Sequence, residues 1–165
     1  MIARDDIREK LKKIPLFKKL AEHPEALDLV IENLEPRRVT SGQVIIAEGD
    51  TGEEMFILLK GQIEISRFTL EKEPFTVAKL TDAMNIFFGE LALIDNDKRS
   101  ATVTATSDCE VLVLTRTKFS ELGKKHSDIG WQLALEIAGI VSGRLRKANE
   151  DSLVLFEALL NELRE

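Results

Sequence analysis

The sequence predicts an α+β chain, with an antiparallel β core set between N-terminal helices and a long C-terminal helix. Three observations predict it. In the first 35 positions apolar residues recur at helical spacing, at Ile7, Leu11, Ile14 and Leu16-Phe17, with Pro15 punctuating the pattern. From about 36 to 116 the period shortens, and runs rich in β-branched residues are separated by Ser41-Gly42, Glu48-Gly49-Asp50 and Lys60-Gly61. Beyond 117, Ala134, Ala138, Val141, Leu145, Ala148, Ser152, Leu155 and Leu159 follow one another in alternating steps of four and three, the seam of a coiled coil. The expected division is therefore a helical segment over 1–35, a β domain over 36–116 and a C-terminal helical segment over 117–165.

Each element has its own signal. EALDLVIENL reads as a second short helix, with Pro24 suited to its first turn. Arg37-Arg38-Val39-Thr40 has the look of a basophilic kinase site, but its place suits the first strand better. MFILL and QIEIS flank Lys60-Gly61 and read as a hairpin, and FTVAKL, SATVTAT and EVLVLT continue the series. Many short strands at close spacing indicate a small antiparallel sandwich or barrel. A short turn around Phe119–Leu122 precedes a helix from Asp128 to Leu163. Its second apolar face, Leu133, Ile137 and Ile140, suits the β domain and turns polar at Arg144, so one helix serves two bodies. Asn149–Ser152 is polar enough to allow a kink. Gly139 and Gly143 cost the helix about 1 kcal/mol each relative to alanine; they serve close approach of a ligand or helix, or are merely tolerated.

Composition narrows the function classes. A 165-residue chain with 44% hydrophobic and 32% charged residues is an ordinary globular protein. Its net charge of −6 argues against broad nucleic-acid binding, which needs a basic face. The single cysteine, Cys109, excludes an internal disulfide and a thiolate-rich metal site, and is expected to pack as a small hydrophobe in its strand. Arg4, Asp5, Asp6 and Arg8 interrupt the N-terminus before a secretion signal forms, and no apolar run is long enough for a membrane span; a cytoplasmic protein is expected. His23 and His126 lack any nucleophile–base or metal-ligand spacing, so neither catalysis nor a bound metal is expected.

The informative stretch is Gly89–Val103, GELALIDNDKRSATV. If Glu90-Leu91-Ala92-Leu93 forms one helical turn, its first N–H groups point outward and favour an anion, and Gly89 lets a ligand approach the backbone. Arg99 lies far enough along for the chain to aim a guanidinium at the same anion, with Ser100 adding a hydroxyl donor. A carboxylate beside a phosphate is repulsive, so Glu90 must serve another group, and a sugar hydroxyl suits it. An anion and a hydroxyl a few ångströms apart describe a ribose phosphate, compact if cyclic. The alternative is a capping carboxylate paired with a strand arginine for structure alone.

Two stretches in this order resemble the cyclic nucleotide-binding domain family, which includes bacterial catabolite activators, protein kinase A regulatory subunits and cyclic-nucleotide-gated channels. Ile45-Ile46-Ala47-Glu48-Gly49-Asp50-Thr51-Gly52, then Met55-Phe56-Ile57-Leu58 and Gly61, is similar to the family's first signature. Phe88-Gly89-Glu90-Leu91-Ala92-Leu93 and, after five intervening residues, Arg99-Ser100-Ala101-Thr102-Val103 resemble its phosphate-binding cassette, here about 88–102. Ile14-Pro15-Leu16-Phe17 looks like the entry helices, and the last helix looks like the dimerisation helix of the bacterial regulators. Two departures stand out: Lys98 replaces a common proline, and Ala83-Met84-Asn85-Ile86-Phe87 replaces a glycine-acid turn.

The resemblance implies a β-roll, jelly-roll-like, that binds a cyclic nucleotide as ligand and uses no cofactor. It implies that Glu90 takes the ribose 2′-hydroxyl and Arg99 the cyclic phosphate, with Gly89, Leu91, Ala92, Ser100 and Ala101 completing the cradle. Val77 and Leu80 would line the base pocket, and Arg144 would either stack over the base from the lid helix or stay solvated. The ligand expected is cAMP, with cGMP the alternative. A stand-alone sensor is expected, homodimeric through the last helix, acting on an effector protein that the sequence does not identify, and without DNA binding by this chain alone. The competing reading is a dimerisation module with a degenerate pocket.

Overall fold

A computed structural model describes residues 3–163; residues 1, 2, 164 and 165, included in the expected outer segments, lie outside the described residues. Helix α1 (Arg4–Leu11) leads through 3-10 turns at Pro15–Phe17 and Leu20–Glu22 into α2 (Pro24–Glu32). Eight strands follow: β1 (Glu35–Val39), β2 (Val44–Ile46), β3 (Glu54–Lys60), β4 (Gln62–Phe68), β5 (Pro74–Thr81), β6 (Phe87–Phe88), β7 (Thr102–Ala105) and β8 (Cys109–Thr115). Helices α3 (Arg116–Lys125) and α4 (Ser127–Glu162) close the order. The strands form two four-stranded sheets, β1-β8-β3-β6 and β2-β7-β4-β5, in which every pairing is antiparallel. The α+β class with a β-roll, N-terminal helices and a long C-terminal helix is thus observed.

The two central strands of the first sheet, β3 and β8, are buried on both faces, which explains why they read as continuous apolar runs rather than alternating ones. Met55, Ile57, Leu112 and Leu114 face Leu11, Phe17, Leu27, Val30, Leu133 and Ile137 from the helices. The intervening Phe56, Leu58, Val111 and Val113 face Ile63, Val103 and Ala105 of the second sheet. Phe56 stacks on Phe88, with ring centroids 5.3 Å apart. Cys109 is buried in this inter-sheet core, as expected of a small hydrophobe.

Two local expectations are corrected, the hairpin and the short turn. Residues 55–59 and 62–66 do not form a hairpin: β3 pairs with β6 and β8, and β4 with β5 and β7. Only Gly61 separates β3 from β4, too short a link for a two-residue reversal. At φ +106° it turns a corner that carries the chain from one sheet to the other. The turn at Phe119–Leu122 is part of the ten-residue α3. Asn149–Ser152 introduces no break in the 36-residue α4, where Ser152 Oγ donates back to the Ala148 carbonyl at 2.8 Å.

Helix α4 meets α3 where Gly130 faces Gly123. A Cβ on Gly130 would stand 2.6 Å from the Gly123 Cα, so the two backbones touch with no side chain between them. Ile129, Leu133 and Ile137 then bury α4 against the helical side of the first sheet. This contact brings Arg144 to the mouth of the cavity described next.

Candidate functional site

Strand β6 delivers the chain to Gly89, whose φ of +76° is the left-handed conformation that glycine adopts without penalty. The following 3-10 turn, Glu90–Leu93, buries Ala92 and Leu93 under the sheet. It also carries the one charged residue, Glu90, that is buried among the described residues. The Ala92 N–H donates to the Gly89 carbonyl at 3.2 Å, so this group is engaged within the turn.

Arg99 returns to the same place because its backbone is tied to the loop before β3. The Arg99 N–H donates to the Asp50 carbonyl at 2.8 Å, and the Gly49 N–H donates to the Arg99 carbonyl at 2.9 Å. The two short motifs that stand fifty residues apart in sequence are therefore one structural unit. The guanidinium lies between two glycines: a Cβ on Gly52 would meet Arg99 Nη2 at 2.7 Å, and one on Gly89 would meet Nη1 at 2.9 Å. Nη2 donates to the Glu54 carbonyl at 2.8 Å and Nη1 to the Gly89 carbonyl at 3.2 Å. Among the described residues no carboxylate lies within ion-pair distance of Arg99. Burial pulls its pKa below the usual arginine value, with the charge of Glu54 opposing that pull and Arg116 adding to it.

These groups line a cavity of about 640 Å³ that contains Gly89, Glu90, Leu91, Ala92, Arg99, Ser100, Ala101, Leu80 and Arg144. Ile46, Ile65 and Val103 supply its apolar wall beside Leu80. A volume of this size holds a small organic ligand. Val77 is the exception among the residues expected here. It stands outside the cavity, half-exposed, because it is the extra residue of a bulge where Ile65 pairs with Ala78 and Ser66 with Thr76. Three positions separate Val77 from Leu80, so period-two alternation already places them on opposite faces.

Arg144 has a specific partner. Its Nη1 forms an ion pair with Glu90 Oε1, linking the exposed side of α4 to the buried acid of the cassette. Its side chain remains 59% exposed while making that contact. Among the described residues, and apart from α4's own adjacent backbone, nothing comes within 4 Å of a Cβ placed on Gly139.

Sequence reasoning missed three contributors: Gly52, the Glu54 carbonyl and Arg116. Gly52 was visible only as part of a motif. A carbonyl donates no sequence signal at all. Arg116 did leave one, since a cation at the first position of a helix opposes the helix dipole and implies a compensating partner. The Arg116 Nε donates to the Ala92 carbonyl at 2.7 Å, and its Nη2 donates to the Asp95 carbonyl.

Residues 36–126 match the family model described as the cyclic nucleotide-binding domain. The chain is 31% identical over 154 residues to the cyclic AMP receptor protein of Thermus thermophilus, across 93% of this chain and 68% of that protein. Human cGMP-dependent protein kinase 2 is 36% identical over 121 residues, which span 72% of this chain and 16% of the kinase. The crystal structure of the Thermus thermophilus catabolite activator protein superposes with a TM-score of 0.75 at 30% identity, over 86% of this chain and 62% of that one. The chain therefore spans about two thirds of the bacterial receptors and a sixth of the kinase. With the family model covering more than half of its length and both motifs meeting in one cavity, this chain belongs to the cyclic nucleotide-binding domain family.

Proposed function

We propose that the cavity binds a cyclic nucleoside monophosphate, cAMP in preference to cGMP, and that the chain acts as a sensor rather than an enzyme. The observation that carries the reading is Arg99: a half-buried guanidinium, braced by two backbone carbonyls and without a carboxylate partner among the described residues, opening onto a ligand-sized cavity. A cation so placed is stabilised by an anion from outside, and the planar fork suits two phosphate oxygens. Glu90, buried a short way along the same turn, accepts from the ribose 2′-hydroxyl. Gly89, Leu91, Ala92, Ser100 and Ala101 frame the phosphate, and Leu80 lies along the apolar wall. Support for cAMP over cGMP comes from the Thermus relative, named as a cyclic AMP receptor and matched along most of this chain; the kinase match, over a smaller part, keeps cGMP in the test.

The response runs through α4. A ribose hydroxyl on Glu90 competes with or joins the Arg144 contact, so ligand and helix position are linked. The ligand shifts the helix by no more than its difference in affinity for the two arrangements. The exposed seam of Leu145, Leu155 and Leu159 pairs two copies, and an effector reads the pair in the cytoplasm.

Titration calorimetry with cAMP and cGMP tests the proposal. The unaltered chain should release or absorb heat with cAMP, and Arg99→Ala should weaken binding about 100-fold, on the order of the 1.5–3 kcal/mol of a charged hydrogen bond. Equal affinity in Arg99→Ala would remove Arg99 from its role. A second reading, a pairing module whose cavity takes no nucleotide, draws on Arg144 already neutralising Glu90. Absence of heat and of any thermal shift with both nucleotides would select it.

A further inference from the structure

Arg116 binds the opposite end of the turn that holds Glu90. The carbonyls of a helical turn's last residues lack intrahelical partners. Here the carbonyl of Ala92, within the turn, and that of Asp95, two residues past its end, are taken by one guanidinium, through Nε at 2.7 Å and through Nη2. The side chain reaches them from the first position of α3, where a positive charge opposes the helix dipole. Its own N–H donates to the Glu53 carbonyl at 2.7 Å. The neighbouring carbonyl, Glu54, is the one that receives Arg99 Nη2 at 2.8 Å. Two arginines thus grip consecutive carbonyls at the start of β3 while standing at opposite ends of the cassette. The side chain of Arg116 is only 21% exposed, and Glu53, at 3.6 Å, is its one ion-pair partner among the described residues.

Behind Arg116 the connection is stiff. Thr115 caps α3 by accepting from the Lys118 N–H at 3.2 Å, and seven residues beyond Arg116, Gly123 meets Gly130 of α4 backbone to backbone. From these contacts we infer that Arg116 is a positioning residue, which locks the cassette turn to α3 and so makes the cassette and the near half of α4 move as one body. This is a second link between cassette and α4. Ala92 and Asp95 line the cavity, but Arg116, unlike Arg144, does not, so a ligand need not break its contacts. Its regulatory meaning rests on the nucleotide reading above, whereas the mechanical coupling does not.

Hydrogen exchange on the full chain tests it, without nucleotide and with saturating cAMP, in the unaltered protein, Arg116→Met and Arg116→Lys. Without nucleotide, Arg116→Met should speed exchange at least about 5-fold in residues 91–95 and, by a similar factor, in α3 and in α4 up to Ile137. Arg116→Lys should fall between the two, since a single ammonium cannot span both carbonyls in the guanidinium's fork geometry. Loosening confined to residues 91–95, or unchanged exchange there, overturns the inference. Should Arg116→Met fail to fold, Arg116→Lys decides, and wild-type exchange at 91–95 in that variant counts against it. Protection by cAMP in the unaltered chain reports on the nucleotide reading alone: its absence, with the paired loosening intact, sinks that reading and leaves the coupling standing.

Discussion

The two halves of α4 share one unbroken helix and differ in everything that covers them. In the near half Ile129, Leu133 and Ile137 are at most 2% exposed, packed on the first sheet and the N-terminal helices. In the far half Leu145 is 60% exposed, Leu155 71% and Leu159 57%. From Arg144 to Glu162 the helix projects about 27 Å at 1.5 Å per residue, with no residue of that stretch in either core cluster. The apolar content of both halves is similar, so hydrophobicity alone did not decide which half would be buried. What separates them is size at the contact: Gly130 lets α4 settle on α3, and large residues follow at helical spacing toward the sheet. The far half continues with large residues, Leu145, Leu155 and Leu159, that remain exposed among the described residues.

The largest effect that would sharpen this contrast is a truncation in the near half. Leu133→Ala should cost about 2–5 kcal/mol by leaving a cavity among α1, α2 and the sheet, read as a drop in the midpoint of denaturant unfolding. Leu155→Ala in dilute solution should change stability by less than about 0.5 kcal/mol, as exposed substitutions do. Raising the protein concentration should separate the two further. If the far half pairs copies, the unaltered chain melts higher as concentration rises, and Leu155→Glu removes that dependence. A melting temperature independent of concentration in the unaltered chain would break the assignment of the far half to a second copy.

The glycine contact gives a smaller and asymmetric pair of effects. A Cβ on Gly130 meets the Gly123 Cα at 2.6 Å, where backbone must shift, whereas one on Gly123 meets the Gly130 Cα at an ordinary 3.5 Å. Gly130→Ala should destabilise the fold by about 1–3 kcal/mol, the usual cost of overpacking. Gly123→Ala should be neutral or stabilise by up to about 1 kcal/mol through helix propensity. Equal effects at the two positions would mean that the helices do not meet as described.

How much of this was legible beforehand follows from the range of each signal. The helical flanks, β7, β8 and the cassette announce themselves through short-range periodicity and motif spacing. The two residues of β6 are too few to show any period. The corner at Gly61 looked like a turn because a glycine between two apolar runs serves either purpose, and only the one-residue gap argues for the corner. Val77 was misplaced against a legible signal, since period-two alternation sets it opposite Leu80; only the bulge at Val77 leaves no local pattern. Within the site, Glu90 and Arg99 stood out because their charges interrupt apolar surroundings. That Arg144 pairs with Glu90 depends on how α4 crosses α3, fixed by two glycines whose contact is invisible in one dimension.

The weakest expected effect lies at the foot of α3, where the near half's platform is fastened to the sheet. Lys118 Nζ donates to Glu35 Oε1 at 2.6 Å across the junction between α3 and β1. The hydrogen bond from Lys118, reinforced by its charge, holds the Glu35 carboxyl below its ordinary value of 4.5. A carboxyl depressed in the folded state adds stability above its unfolded pKa and loses that increment as pH falls through the folded value. Exposure to solvent keeps the increment small and sensitive to salt. Lys118→Met should therefore lower the melting temperature slightly near neutral pH in dilute buffer, with the difference fading in high salt and at pH below about 3. Beyond Arg144, whose partner Glu90 lies in the cassette, the far half of α4 makes no ion pair among the described residues. A substitution there that changes net charge by the same amount, such as Lys147→Met, should show no such difference, because Lys147 is exposed and has no ion-pair partner among the described residues; an equal response at both positions would mean that Lys118 acts through net charge rather than through its contact with Glu35.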